Sequence, residues 1–453
     1  MSDFFVNNQK QKRVYLLGIP KITCLLLLSD TLSFKLSIDI FTERIVFMNS
    51  SQKINTRLLT LQYCVLQGSY WASFCAIYAF STVLLLAKGF SSSQIGVTVA
   101  LGNILGVILQ PVFAGIADSS KRISLQKLTA LLSAVTAFFF VLVYLLPNIF
   151  LGIAACFLLT DTFLQVTQPL VNSVSIYYVN HGISVDFGIA RGVGSISYAA
   201  TSSALGYLIE RKSANVIILI GLLFLALIVF ALLSMPVLKA ENSACHAASE
   251  ISAGTTVNES LWHFFTRYKR FTVALLGVTL LFTFHNMTNN YLIQIVQSLG
   301  GNSANMGTAL SIAAICELPT MLIFSKLLKY FRSNQLLILS GFFFAVKAIT
   351  YLLAGTVTQF YLAQVFQMGA FALYIPASVY YVNETMEASD KFKGQAVMTA
   401  TNTLGGVIGS LLGGFLLDYA GITPLLITGF ILAAGGAVLL LFSCSTRKKH
   451  TLN

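Results

Sequence analysis

Between Arg57 and Ser443 the chain holds twelve largely apolar stretches, each close to the length needed to cross a bilayer. A helix needs roughly 20 mostly apolar residues to traverse a hydrocarbon core ~30 Å thick. The stretches fall at 62–87, 94–117, 125–146, 149–178, 187–209, 215–238, 270–298, 303–328, 334–355, 357–382, 393–417 and 421–443. Only 10% of the residues are charged, against about 25% in a usual soluble domain. The chain reads as an all-α integral membrane protein of twelve transmembrane helices.

Polar residues are not spread evenly over these spans. The stretches 125–146, 215–238 and 421–443 are almost bare of them and read as lipid-facing, whereas spans one, four, seven and ten each carry a stripe. In span four Asp161, Gln165, Gln168, Asn172 and Ser175 recur every three or four residues, which places them on one helical face. Span seven carries His285, Asn286, Asn289, Asn290, Gln294 and Gln297. Polar groups in hydrocarbon are costly, so such faces should look onto a water-filled pathway or another helix. Span one adds Gln67, Tyr70, Phe74, Tyr78 and Ser81, and span ten adds Gln364, Gln367, Phe371, Tyr374 and Ser378. Rings with amides and hydroxyls suit a sugar, a nucleoside or an aromatic acid, since rings stack on apolar faces and amides meet hydroxyls. Aromatic residues at helical spacing are equally consistent with ordinary packing.

The formal charge of +12 would suit a nucleic-acid partner, but its placement argues for topology instead. One side of the spans holds Lys53, Arg57, Lys121, Arg122, Lys127, Arg191, Lys239, Arg267, Lys269, Arg270, Lys326, Lys329, Arg332, Lys391, Lys393 and the tail Arg447-Lys448-Lys449, while the other holds only Lys88, Arg211 and Lys212. Excess Lys and Arg mark the cytoplasmic side. Both termini are therefore expected in the cytoplasm of a multi-pass protein of the cell inner (plasma) membrane, with the lipid bilayer as its surroundings and no nucleic acid.

Two charges stand alone in apolar surroundings: Glu317 in span eight and Lys347 in span nine. At 1.5 Å rise per residue both lie ~16–20 Å from the cytoplasmic end. A lone charge there costs at least ~2.5–3.5 kcal/mol, which pairing between the two spans would relieve. The pair reads either as a structural salt bridge or as a proton-coupling switch in which a proton on Glu317 breaks the contact. Two further candidates for proton coupling are His285, whose imidazole titrates near physiological pH, and Asp161, which has no evident basic partner at its depth. Asp118, Lys121 and Arg122 read as a gate between spans two and three.

The remaining features are mainly exclusions. The seven cysteines are scattered without metal-ligand spacing, and no H-E-x-x-H, G-x-S-x-G or P-loop pattern occurs. An enzyme, a metal or other cofactor, and ATP as driving force are not expected. Residues 1–47 fit the pattern poorly; Met48 reads as the native start. Residues 239–260 are small, polar and unpatterned, so 239–269 reads as a flexible cytoplasmic linker.

Internal repetition divides the chain. Tyr177-Tyr178-Val179-Asn180 recurs as Tyr380-Tyr381-Val382-Asn383, Gly206 to Glu210 answers Gly414 to Asp418, and Pro111 answers Pro319, at offsets of 203, 208 and 208. Each match links span n to span n+6. The expectation is two pseudo-symmetric six-helix bundles, 58–238 and 270–443, with an N-terminal extension 1–57 and a tail 444–453.

Gly115-Ile116-Ala117-Asp118-Ser119-Ser120-Lys121-Arg122 resembles the loop signature G-x-x-x-D-x-x-G-R-[KR] of the major facilitator superfamily, keeping its first glycine, acid and basic pair. Phe187-Gly188-Ile189-Ala190-Arg191 resembles an F-G-x-A-R segment of lactose permease, and Glu317 with Lys347 resembles the charged pair of the branch around lactose permease and the phenylpropionate transporter-like proteins. The resemblance covers about Leu58 to Phe442. It implies a secondary transporter with alternating access, functional as a monomer, and it adds Arg191 to the candidate substrate ligands. Ser173 stands where that branch has a sugar-pairing glutamate, and span ten has no His-x-x-Glu pair, so galactoside specificity is not implied. The expected function is proton-coupled symport of a small polar organic solute; proton-driven efflux and a non-transporting sensor are the alternatives.

Overall fold

The structure is a computed structural model that describes residues 55–119, 123–146, 149–238 and 261–445. The expected extension before residue 55, the start at Met48, the gate residues Lys121 and Arg122, linker residues 239–260 and the tail from residue 446 lie outside the described residues.

Twelve helical rods make up the described residues. They are α1 (Thr56–Phe74, a π-turn Cys75–Ala79, then Ser81–Ala87), α2 (Ser92–Ser119), α3 (Leu125–Leu145), α4 (Phe150–Asn180), α5 (Phe187–Arg211) and α6 (Val216–Ser234). The second six are α7 (Lys269–Asn290 and Leu292–Ser298), α8 (Ser303–Tyr330), α9 (Ser333–Leu353), α10 (Val357–Val365, a 3-10 turn Phe366–Met368, then Phe371–Thr385), α11 (Lys391–Tyr419) and α12 (Ile422–Cys444). Among the described residues ten helices are long and apolar enough to cross a membrane, and the bent pair forming α1 makes an eleventh. The remaining rod, α5, is long enough but too rich in Gly and Ser; it packs along α1 and α8.

Local chemistry sets the helix ends. The side chains of Ser124, Asp186, Asn302 and Thr356 accept the N–H groups of Lys127, Ile189, Asn305 and Gln359 at the starts of α3, α5, α8 and α10, satisfying donors that no helical turn can reach. Gly421, at φ 87°, makes the left-handed turn between α11 and α12 that a side chain would resist. The end of the joining segment is structured: Leu261–Arg267 is a short helix whose Phe264 is fully buried beside Tyr268 and Phe271. The flexible linker expected at 239–269 therefore gives way to helix at Leu261, because an aromatic anchor is available there.

The helices pack in a pattern that repeats. Helix α1 packs on α5 and α6, α3 on α4 and α6, and α2 on α4; likewise α7 packs on α11 and α12, α9 on α10 and α12, and α8 on α10. The two sixes meet through α2 with α11 and α5 with α8, which are also related pairs. The polar-striped α7 is the most buried span, with 72% of its apolar window inside the bundle, against 28% for α12. Leu131, Phe138, Leu219, Phe230, Ile431 and Leu441 on the polar-poor helices face outward, as their composition requires.

Candidate functional site

Three of the four polar-striped helices are interrupted within the bundle. Helix α1 bends by 44° after the π-turn, α7 breaks at Tyr291, and α10 loosens into a 3-10 turn. Interrupted backbone at membrane depth persists only where neighbours re-satisfy the freed groups. At the α7 break, Thr82 Oγ1 of α1 donates to the Asn290 carbonyl, and the Asn290 amide donates to Ser410 Oγ at 2.7 Å. The α10 turn brings Gln367 inward.

Gln367 corrects one expectation. Glu317 and Lys347 are not in direct contact; Lys347 Nζ donates to Gln367 Oε1 at 2.6 Å, and Gln367 Nε2 donates to Glu317 Oε1 at 2.9 Å. The reason is packing order: α10 packs on both α8 and α9 and stands between two helices that are consecutive in sequence. Lys347 is almost fully buried, whereas Glu317 keeps a partly open face. Arg191, from the other six-helix set, lies close enough to Glu317 for Coulombic attraction.

Arg191 is held in its own half by a second set of contacts. Its guanidinium lies 4.1 Å from the centroid of the Trp71 ring and donates to Ser195 Oγ at 3.0 Å. Trp71 Nε1 donates to Gln67 Oε1 at 3.2 Å, and Gln67 Nε2 donates to Tyr63 at 2.7 Å and to Asn172 Oδ1 at 3.0 Å. Trp71, Phe74 and Tyr78 form a partly open aromatic ladder, with Phe74 and Tyr78 stacked at 4.9 Å. Beside Gly192 nothing lies within 4 Å of where a side chain would begin.

A separate polar cluster joins α4 to α2. Gln165 Nε2 donates to Asn103 Oδ1 at 2.7 Å and to Asp161 Oδ2 at 3.0 Å. Across the bundle, His285 stacks on Phe371 at 4.9 Å with Nε2 3.0 Å from the Asn289 amide. Gln168, Asn286 and Asn289 are partly open. Gln67, Tyr70, Gln364, Asn290 and Tyr374, expected as open ligands, are buried in helix packing: Tyr70 donates to the Leu164 carbonyl at 3.2 Å and Tyr374 to Asn402 Oδ1 at 2.8 Å. Asp118 is exposed at the far end of α2. Trp71, Asn103 and Asn402 were missing from the sequence-derived site. Trp71 lies four residues after Gln67, on the same helical stripe as Phe74 and Tyr78, and adjacent Tyr70 fits that spacing equally well.

The charge-poor end is closed by helix-to-helix contact. Asp418 of α11 accepts the N–H groups of Ser92 and Ser93 at the start of α2, at 3.0 and 2.7 Å. Glu210 of α5 accepts the N–H of Ser303 at the start of α8, at 2.8 Å. Gly206 and Gly307 let α5 and α8 touch backbone to backbone, and Gly96 and Gly414 do the same for α2 and α11.

Twelve helices in two related sixes, meeting over a polar interior, are matched in known proteins. The profile of the MFS_1 like family covers residues 63–427. The chain belongs to that family. It is a multi-pass secondary transporter of the major facilitator superfamily, not an enzyme. It is 23% identical over 401 residues to the uncharacterized transporter YwbF of Bacillus subtilis (strain 168), covering 86% of this chain and 96% of that one. It is 24% identical over 348 residues to the maltose permease of Geobacillus stearothermophilus, covering 76% and 84%. The crystal structure of the nucleoside transporter NupG superposes with a TM-score of 0.70 at 17% identity, covering 85% of this chain and 98% of that one. A mutant of the peptide transporter POT superposes at 0.60 and 10% identity, covering 87% and 98%, and supports the fold alone.

Proposed function

We propose that this transporter is a proton-coupled symporter of a small polar organic solute, with the Glu317–Gln367–Lys347 relay as the coupling group. The observation that carries the reading is a mid-bundle carboxylate, on a partly exposed residue, attached through one amide to a buried ammonium and attracted by Arg191 of the opposite half. A proton on Glu317 removes the charge that both cations answer, which loosens the two sixes from one another at the centre. Residues 58–238 and 270–443 act as the two rocking bodies, and the segment 239–269 ties them. The charge-rich end faces the cytoplasm, so the closed charge-poor end is the outer gate, and access to Arg191 and Glu317 is from inside.

Substrate recognition rests on the Trp71–Phe74–Tyr78 ladder with Arg191 and Asn172, set against Asn286 and Asn289, while the buried Gln67 holds Trp71 and Asn172 in place. Aromatic faces with converging amides and one guanidinium fit an oligosaccharide, a nucleoside or an aromatic acid. The maltose permease and NupG relatives fall within the first two classes by name. The charged pair supports placement near the lactose permease branch. The test is external pH in weakly buffered vesicles containing the protein, challenged with each class. Alkalinisation with one class, lost in Glu317→Gln, supports symport. Full uphill accumulation by Glu317→Gln refutes the assigned coupling group.

A further inference from the structure

The two acids inside this bundle sit in opposite electrostatic situations. Glu317 is answered by Lys347 through Gln367 and by Arg191. Asp161, only 1% exposed, has no such answer: among the described residues its one polar partner is the Gln165 amide, and no basic side chain acts on it. Its Oδ1 is buried without a hydrogen-bond partner. Its Oδ2 lies against the α2 backbone, where a side-chain carbon on Gly102 would begin 2.5 Å away. The titratable groups facing it are the phenols of Tyr70 and Tyr78 on α1; α2 contributes Asn103 and Gly102, and Gln165 shares its own helix. On α3, which also packs on α4, the ionisable residues are Lys127 and Tyr144, at opposite ends of the helix from one another, and neither acts on Asp161.

A bare carboxylate in such a place is not stable. An isolated ionised group in an apolar interior is either neutralised by a proton or bound by a cation. The oxygens gathered here are the two of the Asp161 carboxylate and Asn103 Oδ1, with the Gln165 N–H group donating to both residues. Such oxygens suit a proton or a hard alkali cation rather than a soft metal.

We propose that Asp161 is a second coupling site, an exchangeable binding site for one monovalent cation, held between α4 and α2 and separate from the Glu317 relay. The cation is H⁺ or Na⁺, and the shared chemistry is neutralisation of one buried carboxylate. This deepens the reading of the chain as an ion-driven carrier, but occupancy of the site is measurable without any transported solute, so the two fail separately.

The experiment is infrared difference spectroscopy on the full chain in lipid vesicles, starting in sodium-free buffer with choline as the salt. A protonated-carboxyl band is expected that fades as pH is raised, is removed by Asp161→Asn, and survives in Glu317→Gln. If added NaCl abolishes the band at constant pH and choline chloride does not, the occupant exchanges with sodium; if sodium has no effect while pH does, the occupant is the proton. A band that responds to neither is a permanent structural proton and overturns the proposal, as does a responsive band that survives Asp161→Asn. Isotope-labelled aspartate in the otherwise unaltered chain guards against a variant that does not fold. The responsive band must shift with the label, and a band that shifts only with labelled glutamate overturns the assignment.

Discussion

Neutralising the two carboxylates at the closed end should open it by a calculable amount. Asp418 accepts two N–H groups from the first turn of α2, and Glu210 accepts one from the first turn of α8. Both are donors that the helix itself leaves unsatisfied, and a carboxylate there interacts with the positive end of the helix dipole by ~0.3–1 kcal/mol when exposed and up to ~2 kcal/mol when partly buried. Both residues are exposed, so the lower part of that range applies. Asp418→Asn keeps an acceptor oxygen but loses the charge, for ~1 kcal/mol; Glu210→Gln, with one bond, loses ~0.5 kcal/mol. Acting at separate crossings the two should add to ~1.5 kcal/mol, a roughly tenfold shift of the closed-to-open ratio. Spin labels at Ala87 and Tyr419, both exposed at this end and on opposite halves, report the separation by pulsed dipolar spectroscopy in lipid. The double variant should transfer population to a longer distance by about that factor, more at low salt than at high. An unchanged distribution, or one shifted toward shorter distances, refutes the assignment of these residues as latches.

Three more predictions follow from particular contacts. Gln367→Leu strands the buried Lys347 and removes two charge-assisted hydrogen bonds, so thermal unfolding should reveal ~3 kcal/mol of lost stability, part of which returns when Lys347→Met and Glu317→Gln are added. Gly307→Leu drives a side chain into the Ser202 carbonyl and the Gly206 backbone, so the Ala87–Tyr419 distance should lengthen in most molecules even with both carboxylates intact. In Trp262→Phe, Trp71 is the sole tryptophan; its emission should change in Arg191→Ala, which ends a cation–π contact of ~1–2 kcal/mol, and stay constant in Arg267→Ala.

How far the sequence reached can be read from individual residues. The spans were legible because hydrocarbon imposes their length, and α4, α8 and α12 begin or end within a few residues of the hydropathy limits. Helix α5 was legible as the stretch 187–209 as well, although its Gly and Ser residues serve contact with α1 and α8 rather than with lipid. The repeat at Gly206–Glu210 and Gly414–Asp418 was visible as a pattern, but its use as a pair of helix latches needed the partner helices in place. Glu317 and Lys347 were visible because each was a lone charge in an apolar run. Their bridging by Gln367 was not, since order along the chain does not give order in the bundle: α10 lies between α8 and α9. Tyr70 was read as an open ligand because a stripe at spacings of three and four admits two neighbouring faces. The structure turns Tyr70 into the core and Trp71 toward Arg191.

The duplication persists where the halves have to meet and is lost where they have to differ. The latch acids Glu210 and Asp418 are 208 residues apart and perform the same task on related helices. The same offset carries Glu317 back to Leu109, Lys347 back to Phe139 and Arg191 forward to Thr399, and the offset of 203 found for the spans-four-and-ten tetrapeptide carries Asp161 forward to Gln364. None of the interior charges has a charged counterpart. Closure by rocking needs two matched seams, because a seam sealed on one side only leaves a leak on the other, and symmetry supplies both from one solution. Coupling needs the opposite. A cation that met identical acids in both halves would bind each conformation through either half and would have little differential affinity with which to bias the rocking motion. In the coupling proposed above, a compensated acid on α8 and an uncompensated one on α4 would give each half its own response to a cation, and that difference is what an ion gradient would act upon.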